Sequence, residues 1–347
     1  MNSPIAHLII AADCGGTKSD LLFVDADSGA LLNRVQEDIH SVPPEVIGEK
    51  GPDRWGGRSV AMGNYCLTKG LEGLAPQEVH IIHTGFNYDE SILTSRGIQF
   101  SRPVNLPEED GIMVAENCKV GVCCILGTGA TTMVYKEGDP PFVVDALGPI
   151  CGDWGAGFFI GYNFVRNVLR EQNFTKEEMW ETREILSYLK EQMKKLGEAP
   201  TGIEYRSSSW HIVHILLTRY DRAFIASLAK LCDKCARQGS SIARQVLQNA
   251  GEEAAINVVR GAKFMDIDKL EALPVIVSGS ILLRSDIVYK SFCDTIMAHL
   301  PQAVVKRSLK PQTYGQTIRM LEMLHGPEQA APRIERFKKD YNALYHA

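Results

Sequence analysis

Apolar residues along the chain fall into short continuous runs in some stretches and into helical spacing in others, and the two patterns alternate. His7–Ala12 is a short apolar run that ends at Asp13 and a glycine pair, and a second run, Asp20–Val24, follows at once. Asp27-Ser28-Gly29 is a turn signal, after which Ala30–Val35 forms a third run. Strands joined by tight turns are the reading here. Ser41–Gly57 is rich in Pro and Gly and reads as loop with a helix start; Ser59–Gly73 is spaced as a helix, and the strand Val79–His83 follows. Val120–Leu126 is almost wholly apolar, as in a strand covered on both faces. It runs into Gly127-Thr128-Gly129-Ala130-Thr131-Thr132, beyond which Thr132–Tyr135 is a further strand. This strand, glycine turn and strand echo the N-terminal arrangement with different residues. From Asn163 to Leu270 the spacing is mostly helical, with Lys176–Leu196 and Phe224–Val259 the longest stretches and a break over Thr201–Ser209. A last buried strand, Pro274–Val277, ends at Ser278-Gly279-Ser280, and Ala331–Ala347 reads as a terminal amphipathic helix. Strands alternating with helices, with antiparallel pairing near each start, predict two α/β domains.

Length agrees: 347 residues suggest two domains at roughly 100–200 residues each. At 45% hydrophobic and 23% charged, the composition excludes collagen, coiled coil and disorder as the main state. A formal charge of −5 argues against nucleic acid as a partner. No apolar run reaches the roughly 18–20 residues that span a bilayer, and no basic segment precedes Leu8–Ala12, so a cytoplasmic protein without a membrane partner is expected. The nine cysteines are odd in number and scattered, which favours reduced thiols. Cys232 and Cys235 make a CxxC within a helical stretch, with no second pair at ligand spacing, and read as two thiols on a helix.

Three segments carry candidate chemistry. In Asp13-Cys14-Gly15-Gly16-Thr17-Lys18, glycines at a strand-to-strand turn let backbone N–H groups approach an anion, while Asp13 is a carboxylate suited to Mg²⁺. A plain hairpin turn explains the same glycines. In Gly152-Asp153-Trp154-Gly155-Ala156-Gly157, Asp153 could cap the helix that starts near Phe158. Glu108-Glu109-Asp110-Gly111 offers carboxylates, although three acids in a row also describe a solvated helix start. His40, His80 and His83 read as structural, and Thr84-Gly85 could line the floor of a ligand cleft. No Walker GxxxxGK[ST] and no strand-to-helix GxGxxG is present.

Taken in order, DCGGTKSD, ILGTGATT, GPICGDWGAGFFIG and VIVSGS resemble the actin, hexokinase and heat-shock-chaperone ATPase superfamily, and within it the N-acetylglucosamine kinase and BadF/BadG-type group. The resemblance implies two actin-like (ribonuclease H-like) domains of mixed sheets flanked by helices, with a ligand cleft between them. The N-terminal domain would span 1–115 with the terminal helix 331–347 joined to it, and the second would span 116–330 with a helical insertion. It implies ATP and Mg²⁺ as cofactors and phosphoryl transfer to a hydroxyl of N-acetylglucosamine or a related amino sugar. Gly15, Gly16, Thr17 and Lys18 would surround the β- and γ-phosphates, and Thr128 and Gly129 would approach them from the second domain. Gly279 and Ser280 would lie near the adenosine, and Asp13 would hold the metal. Ala130, Thr131, Gly148 and Asp153 would line the sugar site. A base is needed at the attacking oxygen, and the resemblance directs this role to Asp110, with Glu109 in reserve, although the interval to Gly127 is slightly shorter than in the family. Relatives are often homodimers.

The departures fall on the sugar side. Pro43 stands where relatives have a sugar-contacting Asn, Leu147 replaces a Trp, and Trp154 replaces a Glu. The alternatives carried forward are a BadF-type ATPase activator and a nucleotide-binding sensor with a degenerate sugar site.

Overall fold

The computed structural model describes residues 5–14, 18–38, 42, 57–195, 207–218 and 221–344. The chain forms two compact units: Met1–Cys118 together with Lys310–Ala347, and Lys119–Leu309.

In the first unit, β1 (His7–Cys14), β2 (Lys18–Asp25) and β3 (Leu31–Asp38) form an antiparallel meander. β1 also pairs in parallel with β4 (Glu78–Thr84), so Asp13 lies opposite Asp20 on one side and Thr84 on the other. Two short strands, β5 (Gln99–Phe100) and β6 (Val104–Asn105), pair with β4. Alternation along β1 sends Leu8, Ile10 and Ala12 into one core with Leu67 and Leu71 of the helix α1 (Gly57–Gly70) and the turn after it. Ile9 and Ala11 face a second core built with Tyr314, Ile318, Leu321 and Phe337. Cover on both faces is why the run is continuously apolar.

The second core comes from one long C-terminal element, Gln312–Ala343, kinked at Gly326 (φ 75°) just before Pro327. The return to the first unit therefore begins near Lys310, some twenty residues before the helix expected from Ala331. Leu31 N–H donates to Asp340 Oδ2 at 3.3 Å and the Arg34 guanidinium lies over the Tyr341 ring, which ties the far end of this element to β3.

The second unit repeats the plan. β7 (Gly121–Leu126), β8 (Ala130–Tyr135) and β9 (Phe142–Asp145) form an antiparallel meander, and β10 (Leu273–Ser278) and β11 (Ala303–Arg307) extend it in parallel from β7. Helices Gly157–Gln172, Arg222–Arg237, Ser241–Phe264 and Asp286–His299 pack around it, burying Phe164, Leu228, Ala254 and Phe292. The periodicity over Phe224–Val259 belongs to two helices rather than one. Gly239 takes φ 102°, and Ser240 caps the second helix by accepting from Ala243 N–H at 3.2 Å. All nine cysteines are free. Cys232 and Cys235 are buried on a helix, and burial raises both thiols, Cys235 to about 11. Among the described residues no helix is long and apolar enough to cross a membrane.

Candidate functional site

In the first unit the chemistry gathers where β1 and β4 end. Past Thr84, the chain rejoins this edge as Leu106 N–H donates to the His83 carbonyl at 2.9 Å and the Thr84 hydroxyl donates to the Leu106 carbonyl. A helix, Glu108–Ala115, starts directly afterwards. It crosses the Gln312 helix backbone to backbone: a Cβ on Gly315 would lie 1.8 Å from the Gly111 carbonyl oxygen, and one on Gly111 would lie 2.9 Å from the Gln312 carbonyl oxygen. Both glycines sit in the fourth position of their helices, so the close crossing brings two helix N-termini together. Each carries partial positive charge and unsatisfied N–H groups.

The acidic groups here differ sharply in their partners. Asp20 accepts from Arg34 Nε at 2.9 Å and Nη2 at 3.0 Å, and from Thr313 Oγ1 at 3.0 Å. Asp13 and Glu108 have no such cation among the described residues. Burial, then the charge of Asp20, pushes Asp13 up to about 7; the nearby Gln312 amide opposes part of that rise. Burial, then the charges of Asp13 and Glu109, pushes Glu108 up to about 8. Gln312 is itself buried, and neither its Nε2 nor its Oε1 makes a hydrogen bond of normal length. Two carboxylates without a cation among the described residues, beside a buried amide, suit a divalent cation that keeps several waters and shares phosphate oxygens.

Sequence reasoning missed Glu108. Its side chain and that of Asp110 lie two positions apart on a helix, hence about 200° apart in projection, so they cannot share one neighbour. Glu108 lies within the field of Asp13; Glu109 is buried, and Glu108 and Asp110 are partly exposed. Lys18 is exposed at the start of β2. His80 and His83 are both lowered by burial; His83 Nδ1 accepts from Phe86 N–H at 3.3 Å, and His80 Nδ1 lies 3.2 Å from Ser101 Oγ. Gly15, Gly16, Thr17, His40 and Pro43 lie outside the described residues.

In the second unit the loops after β7 and β10 meet at one edge, because these strands are parallel neighbours with Ser278 opposite Ile125. Gly279, at φ 85°, packs on Leu126, and a Cβ there would stand 2.4 Å from its carbonyl oxygen. Ser280 beyond it is exposed. The carbonyls of the Gly127-Thr128-Gly129 turn are all spent internally: Gly127 and Thr128 accept from Gly157 and Phe158 N–H at 2.8 and 3.1 Å, and Gly129 accepts from Gly127 N–H at 2.8 Å. The N–H groups of Thr128 and Gly129 meet no protein acceptor among the described residues. With carbonyls turned inward and amides left over, the turn is an anion nest.

Asp153 departs from expectation. It is 2% exposed and takes φ 58°, a conformation few non-glycine residues adopt. Its Oδ1 accepts from Ala130 N–H at 3.0 Å and its Oδ2 from Arg222 Nη2 at 2.5 Å. It caps no helix by a side-chain hydrogen bond, since Ala156 occupies that position. Each of its carboxylate oxygens thus accepts from a protein donor. Asp145, unremarked in the sequence because an Asp closing a strand is ordinary, holds the same loop: it accepts from Asp153 N–H at 3.1 Å, Trp154 N–H at 3.0 Å and Asn257 Nδ2 at 3.3 Å. Ala130 is buried and Thr131 half-buried at the start of β8. Gly148 takes φ 76° beside the exposed Leu147 and Ile150, and Trp154 is likewise exposed.

No family model matches the sequence. An N-acetyl-D-glucosamine kinase of Dictyostelium discoideum is 21% identical over 323 residues, covering 86% of this chain and 93% of that protein. Among solved structures, a proposed N-acetylglucosamine kinase from Chromobacterium violaceum superposes with a TM-score of 0.64 at 17% identity, over 92% of this chain and 99% of its own. One from Porphyromonas gingivalis gives 0.57 at 16%, with the same coverage. The two mixed sheets with flanking helices are thus the actin-like architecture that the motif order implied.

Proposed function

We propose that the chain is an ATP-dependent kinase that transfers the γ-phosphoryl group to a hydroxyl of N-acetylglucosamine or a related amino sugar. The observation that carries this reading is the pair Asp13 and Glu108, carboxylates without a counter-cation among the described residues, beside two helix N-termini. It gains weight from the Dictyostelium relative, which is named for this activity and matches most of the chain.

The donors present fit Mg²⁺, which would be held through Asp13 and would neutralise charge on the phosphates. The exposed N–H groups of Thr128 and Gly129 suit phosphate oxygens, as would the turn Gly15, Gly16 and Thr17 with Lys18. Gly279 and Ser280 end a parallel strand next to that nest, where a nucleoside can lie against backbone. Glu108 would take the proton from the attacking hydroxyl, as the new O–P bond forms and the bond to the ADP oxygen breaks. Asp110 is the competing base. Ala130, Thr131 and Gly148 remain candidates for the sugar side, whereas Asp153 is better read as a supporting residue.

A coupled ADP-release assay across a panel of hexoses and N-acetylhexosamines tests the reading. Turnover stimulated by an amino sugar is expected, with Glu108→Gln lowering kcat about 10²–10⁴-fold and Asp110→Asn leaving it within tenfold. ATP binding without stimulation by any sugar would instead favour the nucleotide-binding sensor, the reading that the buried Asp153 makes worth testing.

A further inference from the structure

We infer that Arg222 is a phosphate-positioning residue of the second unit, held ready over the Gly127–Gly129 turn by Asp153. The inference rests on the nucleotide-binding reading above and deepens it.

Arg222 opens the helix Arg222–Arg237, whose start is set by Asp221, which accepts from Phe224 N–H at 2.9 Å. This helix lies tightly on Gly157–Gln172: a Cβ at Gly161 would stand 2.1 Å from the Ile225 carbonyl oxygen. The same neighbouring helix supplies the N–H groups that fold the Gly127–Gly129 turn. Two independent supports therefore fix Arg222 relative to the turn. Its guanidinium lies against Gly129, where a Cβ would meet Nη2 at 1.8 Å, so the turn accepts the cation only because residue 129 has no side chain.

The ion pair leaves most of the guanidinium unused. Asp153 takes one N–H from Nη2, and no other protein partner meets Arg222 among the described residues, although its Nε is buried. The side chain is 30% exposed against 2% for Asp153. The carboxylate is therefore the interior anchor and the cation the accessible end. A guanidinium retains its charge at any working pH and forks toward phosphate oxygens. Beside it stand the unpartnered N–H groups of Thr128 and Gly129. Cation and amides converge on one small area, and the ligand chemistry that satisfies both is the phosphate chain of a nucleotide. The anchoring extends further: Asp145 at the end of β9 orients the loop that carries Asp153. Sequence alone hides this link, since 69 residues separate Arg222 from Asp153.

The test is binding of ADP and of adenosine to wild type, Arg222→Met and Arg222→Lys by calorimetry, without sugar. Arg222→Met should weaken ADP at least tenfold and leave adenosine within twofold, and Arg222→Lys should recover part of the loss. A purely structural role would lower both ligands together or neither. If wild type binds ADP and Arg222→Met binds it equally well, the inference is overturned while the kinase reading stands. If wild type binds no nucleotide, both fall. Should Arg222→Met fail to fold, Arg222→Gln with the same pair of ligands replaces it, with the same outcomes decisive.

Discussion

At the residue scale, the molecule turns on carboxylates whose neighbours differ. Asp20 is matched by Arg34, Asp153 by Arg222 and a backbone amide, and Asp145 by two backbone amides and Asn257. Asp13 and Glu108 have no such match among the described residues, and this has a consequence for stability. Between the ordinary value of 4.5 and about 8, native Glu108 holds a proton that the unfolded chain has lost. Stability contributed by that difference is present at low pH and lost as pH rises through this window. Asp13 acts in the same direction between 3.8 and about 7. In the presence of a chelator, the melting temperature of wild type should fall from pH 5 to pH 8, and Glu108→Gln should flatten the profile. An unchanged slope in the variant would show that Glu108 titrates normally. At Asp145, replacement by Ala leaves three N–H donors without their acceptor, each costing about 1–3 kcal/mol when buried. Thermal unfolding should drop accordingly, and ADP affinity should fall with it because the Asp153 loop is released.

At the scale of elements, the crossing of helices Glu108–Ala115 and Gln312–Ala343 fixes the helix that carries Glu108 against the C-terminal element. The two glycines at the crossing are unequal. Gly315→Ala would drive a methyl to 1.8 Å from a backbone oxygen, whereas Gly111→Ala meets its neighbour at 2.9 Å. Overpacking of this kind costs about 1–3 kcal/mol and sometimes more. Denaturant titrations should rank Gly315→Ala as clearly the more destabilised. Its kcat should fall beyond what the stability loss explains, because the helix that carries Glu108 is displaced; equal activity in the folded fraction would disconnect the crossing from the site. The first meander and the β7–β8 pair were legible in the sequence because turn residues and apolar runs alternate on a short scale, whereas β9 was not read. The split at Gly239 and Ser240 was not read, since helical spacing on both sides masked a cap that only geometry reveals.

At the scale of the whole molecule, the two units differ in how the chain builds them. Lys119–Leu309 is one continuous stretch with its own core, whereas the first unit needs residues from both ends of the chain. A fragment of residues 119–309 should therefore unfold cooperatively by circular dichroism. A fragment of residues 1–118 should not, because Ile9, Ala11, Leu22 and Val24 lose Tyr314, Ile318, Leu321 and Phe337. Cooperative folding of 1–118 alone would show that the C-terminal element is dispensable to that core.

Local signals determined a good deal of this protein: where the long buried strands lie, where glycine turns follow them, and that the opening of the plan is used twice. Each of those depends on residues within a few positions of one another, where periodicity and backbone freedom act directly. The motif order also pointed to an actin-like fold. What the sequence could not decide was which acid stands beside Asp13, or whether Asp153 faces ligand or protein. Glu108, Glu109 and Asp110 are chemically similar neighbours, and the charge of Asp13 acts on Glu108 across 95 positions of chain. Asp153 is claimed by Arg222 from another helix. Burial and charge pairing are set by neighbours far away along the chain, so tertiary structure alone assigns them.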